Sequence, residues 1–262
     1  MLTLGADPEI FVKKGSKISH CIGKLGGTKE EPIKVSGGAL QEDNVLFEFN
    51  IDPCSKYEDF SSRITNVIIQ GLTVLGPDFS LSNKSSHIYT DSELAEFPES
   101  AFVFGCDPDY NALTGKMNPR PKAERGLRTA GGHVHFGVKD LLLSEGTVMD
   151  EGVQRELIVL SDYYLGLPSL LLDGDDMRRQ LYGQAGAMRF KEYGAEYRTL
   201  SNFWIHEESN KRWVWDQAQK VVANLKNLRE LISIAPPAVV QDIINRSDRR
   251  SAESLMKKLQ VA

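Results

Sequence analysis

Cysteine is scarce and scattered in this chain. Cys21, Cys54 and Cys106 are its only three among 262 residues. An odd number without a CxxC pair excludes a disulfide framework and a cysteine zinc knot, and it suits a reducing compartment. All three read as small buried hydrophobes. Long apolar runs are missing too: the best candidate, residues 165–172, is too short to span a bilayer and contains Pro168. The opening stretch MLTLGADPEI has neither a basic n-region nor an apolar h-region, so no secretory signal is expected and the cytoplasm is the expected location. Positive charge is in deficit, with 31 Lys and Arg against 36 Asp and Glu, a net charge of -5 and a pI near 5.6. That balance argues against general nucleic-acid binding, although a local basic pocket can still hold an anion. Three motifs are absent as well. Without GxxxxGK[ST] there is no P-loop, and without GxGxxG after a strand there is no dinucleotide fingerprint. Without GxSxG or a recognisable cysteine nucleophile there is no case for covalent hydrolysis.

What is present describes a globular protein with a full core. Hydrophobic residues make up 41% and charged residues 26% of the chain, a length and mixture that suit one large domain or two small ones. No internal repeat or interdomain linker divides it, so residues 1–262 read as one domain, with a core over about 1–205 and C-terminal helices over about 206–262. The heptapeptide GGHVHFG, residues 131–137, stands out. A β-backbone points His133 and His135 to one face and Val134 and Phe136 to the other. Paired imidazoles suit a divalent metal or a phosphate, or a structural hydrogen-bonded pair at a sheet edge.

Other segments fall around it. Residues 2–12 read as a strand in which Pro8 cannot donate to a ladder, which predicts an edge strand or a bulge. Residues 45–51 form a second strand with Phe47, Phe49 and Ile51 on one face. The spacing of Phe60, Ile64, Val67, Ile68 and Leu72 predicts a helix over 57–75, capped by Ser55 or Asp59. Residues 101–105 read as a buried strand, and 107–130 as a long loop carrying Arg120, Arg125 and Arg128, placed to clamp an anion or simply solvated. Residues 151–172 are helical until a break at Gly166 and Pro168. The stretch 173–189 mixes Gly and Arg and suits an anion-binding turn; its aspartates lack EF-hand spacing. Residues 193–200 are the last core strand, followed by an amphipathic helix over 208–232 whose tryptophans are core anchors.

Four strands repeat one pattern, a polar residue on either side of an apolar one: Asp7/Glu9, Glu48/Asn50, His133/His135 and Glu196/Arg198. Unpaired buried charge is costly, so four such pairs predict one sheet face forming a polar cleft while the other packs on helices, in an α+β fold. Clustered carboxylates with one imidazole are made tolerable by Mg²⁺ or Mn²⁺ better than by zinc. Solvated outer faces of antiparallel strands are the plainer alternative.

Together GADPE, LFEFN, GGHVHFG, RRQLYGQAGAMR and YGAEYRTLSNFW resemble the phage-type carboxylate–amine ligases (amidoligases, type 2) of the glutamine synthetase and glutamate–cysteine ligase superfamily. The resemblance runs in order over residues 4–205. It implies a glutamine-synthetase-like catalytic domain with a curved, mainly antiparallel sheet whose acidic face holds ATP and Mg²⁺. It further implies Asp7, Glu9, Glu48, His133 and Glu196 as metal ligands. His135, Arg179 and Asn50 would assist the nucleotide, Arg198 would clamp phosphate or carboxylate, and Arg178 and Arg189 would be further anion binders. The chemistry implied is acyl-phosphate formation on a small-molecule or peptide carboxylate, followed by attack of an amine, in a host cytoplasm if the gene is a phage's. Two rival readings are a metal-dependent hydrolase built on the His-x-His pair and a non-catalytic binding protein on the same fold.

Overall fold

The double-histidine strand lies in the middle of an eight-stranded antiparallel sheet. The computed structural model describes residues 1–102, 109–119 and 125–261. The strands in chain order are β1 (Thr3–Ile10), β2 (Val12–Lys14), β3 (Lys17–Ser19), β4 (Ile33–Val35), β5 (Gly38–Asp43), β6 (Leu46–Ile51), β7 (Phe79–Leu81), β8 (Ser86–Ile88), β9 (Tyr110–Asn111), β10 (Leu127–Thr129), β11 (Gly132–Gly137), β12 (Ala187–Lys191) and β13 (Gly194–Tyr197). The large sheet runs β4-β5-β6-β1-β11-β13-β12-β9, while β3-β2-β7 and β10-β8 form two small sheets. The helices are α1 (Tyr57–Leu75), α2 (Asp91–Ala95), α3 (Lys139–Ser144), α4 (Glu151–Ser161), α5 (Leu167–Leu172), α6 (Met177–Leu181), α7 (Glu208–Ala223), α8 (Leu228–Ile234), α9 (Pro237–Asn245) and α10 (Arg249–Leu259). The chain is thus α+β with a large antiparallel sheet, as expected.

Alternation within the strands builds the layers. Leu4, Ala6, Phe47, Phe49, Val134, Phe136, Ala195 and Tyr197 are all buried on one face, where α1 packs on β5 and β6, and α4 on β12 and β13. Trp204 ties this layer to the histidine strand: its ring stacks on Phe60 and its Nε1 donates to the Gly132 carbonyl at 3.0 Å. One continuous apolar cluster runs from Leu4 to Val261, so the C-terminal helices share the sheet's core.

Several local expectations are corrected. β1 is central, paired with β11 through Thr3–Pro8 and with β6 at Glu9 and Ile10. It tolerates Pro8 because successive backbone nitrogens face opposite neighbours. Leu4 N donates to Cys54 and Glu9 N to Gly131, so the proline nitrogen faces the β6 side, in the gap before that pairing begins. The helix over 57–75 forms with the expected bounds, but its N-cap is Lys56 without a side-chain bond. Residues 99–102 make a 3₁₀ turn, and the remainder of the strand expected over 101–105 lies outside the described residues, as do Cys106 and Arg120. Gly166 and Pro168 do not end the helix. A π-helical turn, Asp162–Gly166, links α4 to α5 without a break, and Pro168 follows it at the second position of α5. The long helix expected over 208–232 is broken by a 3₁₀ turn, Leu225–Asn227, into α7 and α8.

Candidate active site

Register alone assembles the polar face. Across the sheet, Gln41 stands opposite Glu48 and Glu48 opposite Glu9. Asp7 stands opposite His133, His135 opposite Glu196, and Glu196 opposite Arg189. Two adjoining hollows open over this face. Glu9, Glu48, His133, Arg178 and Arg198 line one, and Asp7, Asn50, His135, Lys191 and Tyr193 line the other. Lys29, Gln41, Glu48 and Arg189 line both.

The carboxylates fall into two groups of opposite electrostatic character. In the first, Asp7, His133 and Glu196 bring a ligand atom each to within 4.8 Å of one another. His133 Nδ1 is 3.1 Å from Asp7 Oδ1 and 3.7 Å from Glu196 Oε1, and His135 Nε2 is 3.0 Å from Asp7 Oδ1. Glu196 is fully buried but meets Arg198 in a short contact, Lys191 Nζ at 2.8 Å and Arg189 Nη1 at 3.6 Å. Burial and Asp7 both oppose its ionisation; Arg198 and the two histidines outweigh them and bring its pKa down to about 2. Burial likewise opposes ionisation of Asp7, and His135 and His133 still hold it well below the usual carboxylate range. Burial and the Arg198 guanidinium push His133 down to about 4, so its imidazole is neutral near pH 7, the form that binds metals.

In the second group the cations are outweighed: Arg198, Lys29 and Arg189 act on Asp43, and Arg178 and Arg198 on Glu9, yet both carboxyls stay raised. Burial, then Asp43, raises the Glu9 carboxyl to about 7. Burial followed by Asp43, Glu9 and Asp7 lifts Glu48 well above its ordinary value, and Asp43 is raised by its own burial. Gly131 N donates to Glu9 Oε2 at 2.7 Å, and Gln41 Nε2 to Glu48 Oε2 at 2.7 Å. A divalent cation bound beside these carboxylates would relieve the repulsion that raises them. Hard oxygen donors beside one neutral imidazole fit Mg²⁺ or Mn²⁺ chemically.

Gly131 explains why two glycines precede the histidines. A Cβ there would lie 2.9 Å from Arg178 Nη2 and closer still to His133 Nε2. The bare backbone lets ring and guanidinium cross above it.

With this geometry in view, the comparison with family models is decisive. The model described as phage phiEco32-like COOH.NH2 ligase-type 2 matches residues 126–258. The chain belongs to this family. None of the curated proteins matches it. The matched span contains His133, His135, Glu196 and Arg178, Arg179, Arg189 and Arg198. Asp7, Glu9, Glu48 and Asn50 precede it, and the pairing of β1 with β11 and β6 carries them in.

The ligase's arginines divide sharply. Arg178 is buried, donates to the Thr199 and Arg198 carbonyls at 2.9 and 3.2 Å, and has Nη2 3.4 Å from His133 Nε2. Burial lowers its pKa to about 10. Arg198 and Arg189 also reach the hollows. Arg179 is not brought to this face: it is buried against Asp173 at 3.0 Å and donates to the Asp175 carbonyl. Helical geometry causes the split, since consecutive residues of α6 point about 100° apart. Arg128 does line the first hollow, with its guanidinium bonded to the Ala101, Arg125 and Leu127 carbonyls and to Asn44. Sequence reasoning missed Asp43, Gln41, Lys29 and Lys191. The first two were readable, because Gln41 and Asp43 repeat the polar-x-polar spacing on β5.

Proposed function

We propose that this carboxylate–amine ligase is ATP- and Mg²⁺-dependent and proceeds through an acyl phosphate. The observation that carries the reading is the juxtaposition on one sheet face of under-neutralised carboxylates, Glu9, Glu48 and Asp43, with the ion-paired cluster around Asp7, His133 and Glu196. Glu9 and Glu48 would hold metal from one group, and Asp7, His133 and Glu196 from the other. When bound, the ion neutralises phosphate charge.

The chemistry balances without a protein nucleophile. The terminal phosphoryl group of the triphosphate passes to a carboxylate oxygen, and the electrons of the broken P–O bond remain on the diphosphate. The amine nitrogen then bonds to the acyl carbon, inorganic phosphate departs with the C–O electrons, and the surplus amine proton is lost. Arg178, Arg189 and Arg198 would donate hydrogen bonds to the anionic oxygens. In the arrangement proposed here the nucleotide takes the hollow lined by Glu9, His133 and Arg198, and the carboxylate takes the neighbouring one, whose lining residues His135 and Asn50 were expected from the sequence to assist the nucleotide. The substrates are a small-molecule or peptide carboxylate and an amine. The whole span works as one domain, supported by the core shared between sheet and C-terminal helices. The cytoplasm is the proposed compartment; among the described residues no helix is long and apolar enough to cross a membrane.

Calorimetric titration with the non-hydrolysable β,γ-imido analogue of ATP tests this reading. Binding should require Mg²⁺ and be lost in His133→Ala. Absence of nucleotide binding with every divalent metal tried would end it.

A further inference from the structure

The two hollows share a wall, and with nucleotide and carboxylate in separate hollows, as proposed above, the reaction crosses it. In the proposed reaction a phosphoryl group leaves a ligand in one hollow and bonds to a ligand in the other. It therefore passes over the residues common to both: Lys29, Gln41, Glu48 and Arg189. Gln41 and Glu48 are hydrogen-bonded to each other from adjacent strands. The other two are cations. Arg189 is rooted in β12, whereas Lys29 arrives from the loop between β3 and β4.

That loop is built to hold Lys29 in place. Glu42, on the opposite side of β5 from Gln41 and Asp43, accepts the backbone N–H groups of Gly23, Lys24 and Gly26 at 3.0, 3.2 and 2.8 Å. Gly27 sits at φ +76°, and a Cβ there would lie 2.7 Å from the Leu40 carbonyl, so the chain turns tightly against the sheet edge. Thr28 N then donates to the Glu31 carbonyl at 3.1 Å, and Glu31 N to Thr28 Oγ1 at 3.1 Å. Lys29 occupies the tip of this reciprocally bonded turn, and its charge acts on Asp43.

Resting on the ligase reading above, we propose that Lys29 is a further catalytic residue whose ammonium group touches the phosphoryl group as it passes between the hollows. Its N–H bonds donate to non-bridging phosphate oxygens and keep their protons. The P–O bond to the diphosphate breaks and the P–O bond to the carboxylate forms while total charge near the lysine stays anionic. A lysine acts there as a compact point charge that can follow the migrating group.

The test is calorimetry on the full-length chain with Mg²⁺ and three probes: the β,γ-imido ATP analogue, ADP and AMP. Lys29→Ala should weaken the triphosphate analogue about tenfold or more, the scale of one lost charge-assisted contact, and leave AMP within about twofold. Lys29→Arg should restore most of the difference. Because Lys29 is exposed, the Ala variant should melt with the wild type, which separates the effect from misfolding. Wild-type binding of the triphosphate with unchanged affinity in Lys29→Ala overturns this inference alone. An equal loss for AMP and the triphosphate assigns Lys29 to general field or structure and overturns it as well. Absence of all nucleotide binding by the wild type overturns it together with the ATP-dependent reading.

Discussion

Substituting Glu9 by Gln should stabilise this protein progressively as the pH rises above about 4.5. Glu9 has its pKa raised from an ordinary 4.5 to about 7, by burial and then by Asp43. Its folded-state pKa therefore exceeds the unfolded one, and the folded chain binds the proton more tightly between those values. Stability is fully present below about pH 4.5 and is lost as pH rises through about 7. The loss amounts to about 3 kcal/mol, or a melting shift of about 6 °C for a chain of this size. Gln keeps an oxygen for the Gly131 amide but has no proton to lose. Scanning fluorimetry in chelator should give matching melting temperatures near pH 4 and a variant about 6 °C higher near pH 8. Added Mg²⁺ at pH 8 should then raise the wild type more than Glu9→Gln. A gap between the two proteins that is independent of pH, or a variant less stable at pH 8, would refute the account of an under-neutralised carboxylate group.

Three further outcomes follow from particular contacts. Gly131→Ala places a methyl against His133 and Arg178; circular dichroism should show a retained fold, while analogue affinity drops by about tenfold or more, as when a ligand group is misplaced by an ångström. Asp162, in the π turn, accepts from Gly186 N, Tyr197 Oη and Gln241 Nε2 at 2.9, 2.9 and 3.0 Å; Asp162→Ala leaves three buried donors unpaired and should cost about 3 kcal/mol or more in urea denaturation. Asp173→Ala removes the nearer of the two carboxylates paired with the buried Arg179 among the described residues, leaving Asp176 at 3.7 Å, and should cost about 3 kcal/mol in the same assay, whereas a combined Asp173→Ala, Arg179→Met variant should recover much of it.

Much of the site was legible because strands alternate. A period of two forces Asp7 with Glu9, Glu48 with Asn50 and His133 with His135 onto common faces, and apolar residues between them dictate which face meets the helices. The helical period likewise placed α1 without tertiary information. The same reasoning could not separate Arg178 from Arg179. Both are buried cations one residue apart, and only the packing of α6 shows that one reaches His133 while the other is closed off by Asp173. Pro8 misled for a related reason: a missing N–H marks an edge only if a neighbour needs it, and strand pairing decides that.

The residue types, their alternation and the order of five motifs were thus determined by the chain itself, along with the α+β class and the family to which it belongs. Those properties depend on neighbours a few positions apart. Tertiary structure alone decided which carboxylates share cations. It compensated Asp7 and Glu196 with His135, Arg189, Lys191 and Arg198, and left Glu9, Glu48 and Asp43 facing one another. It also folded the loop bearing Lys29 back to the shared wall. Electrostatic energy depends on distances between groups far apart in sequence, and those distances exist only once the register of the sheet is set.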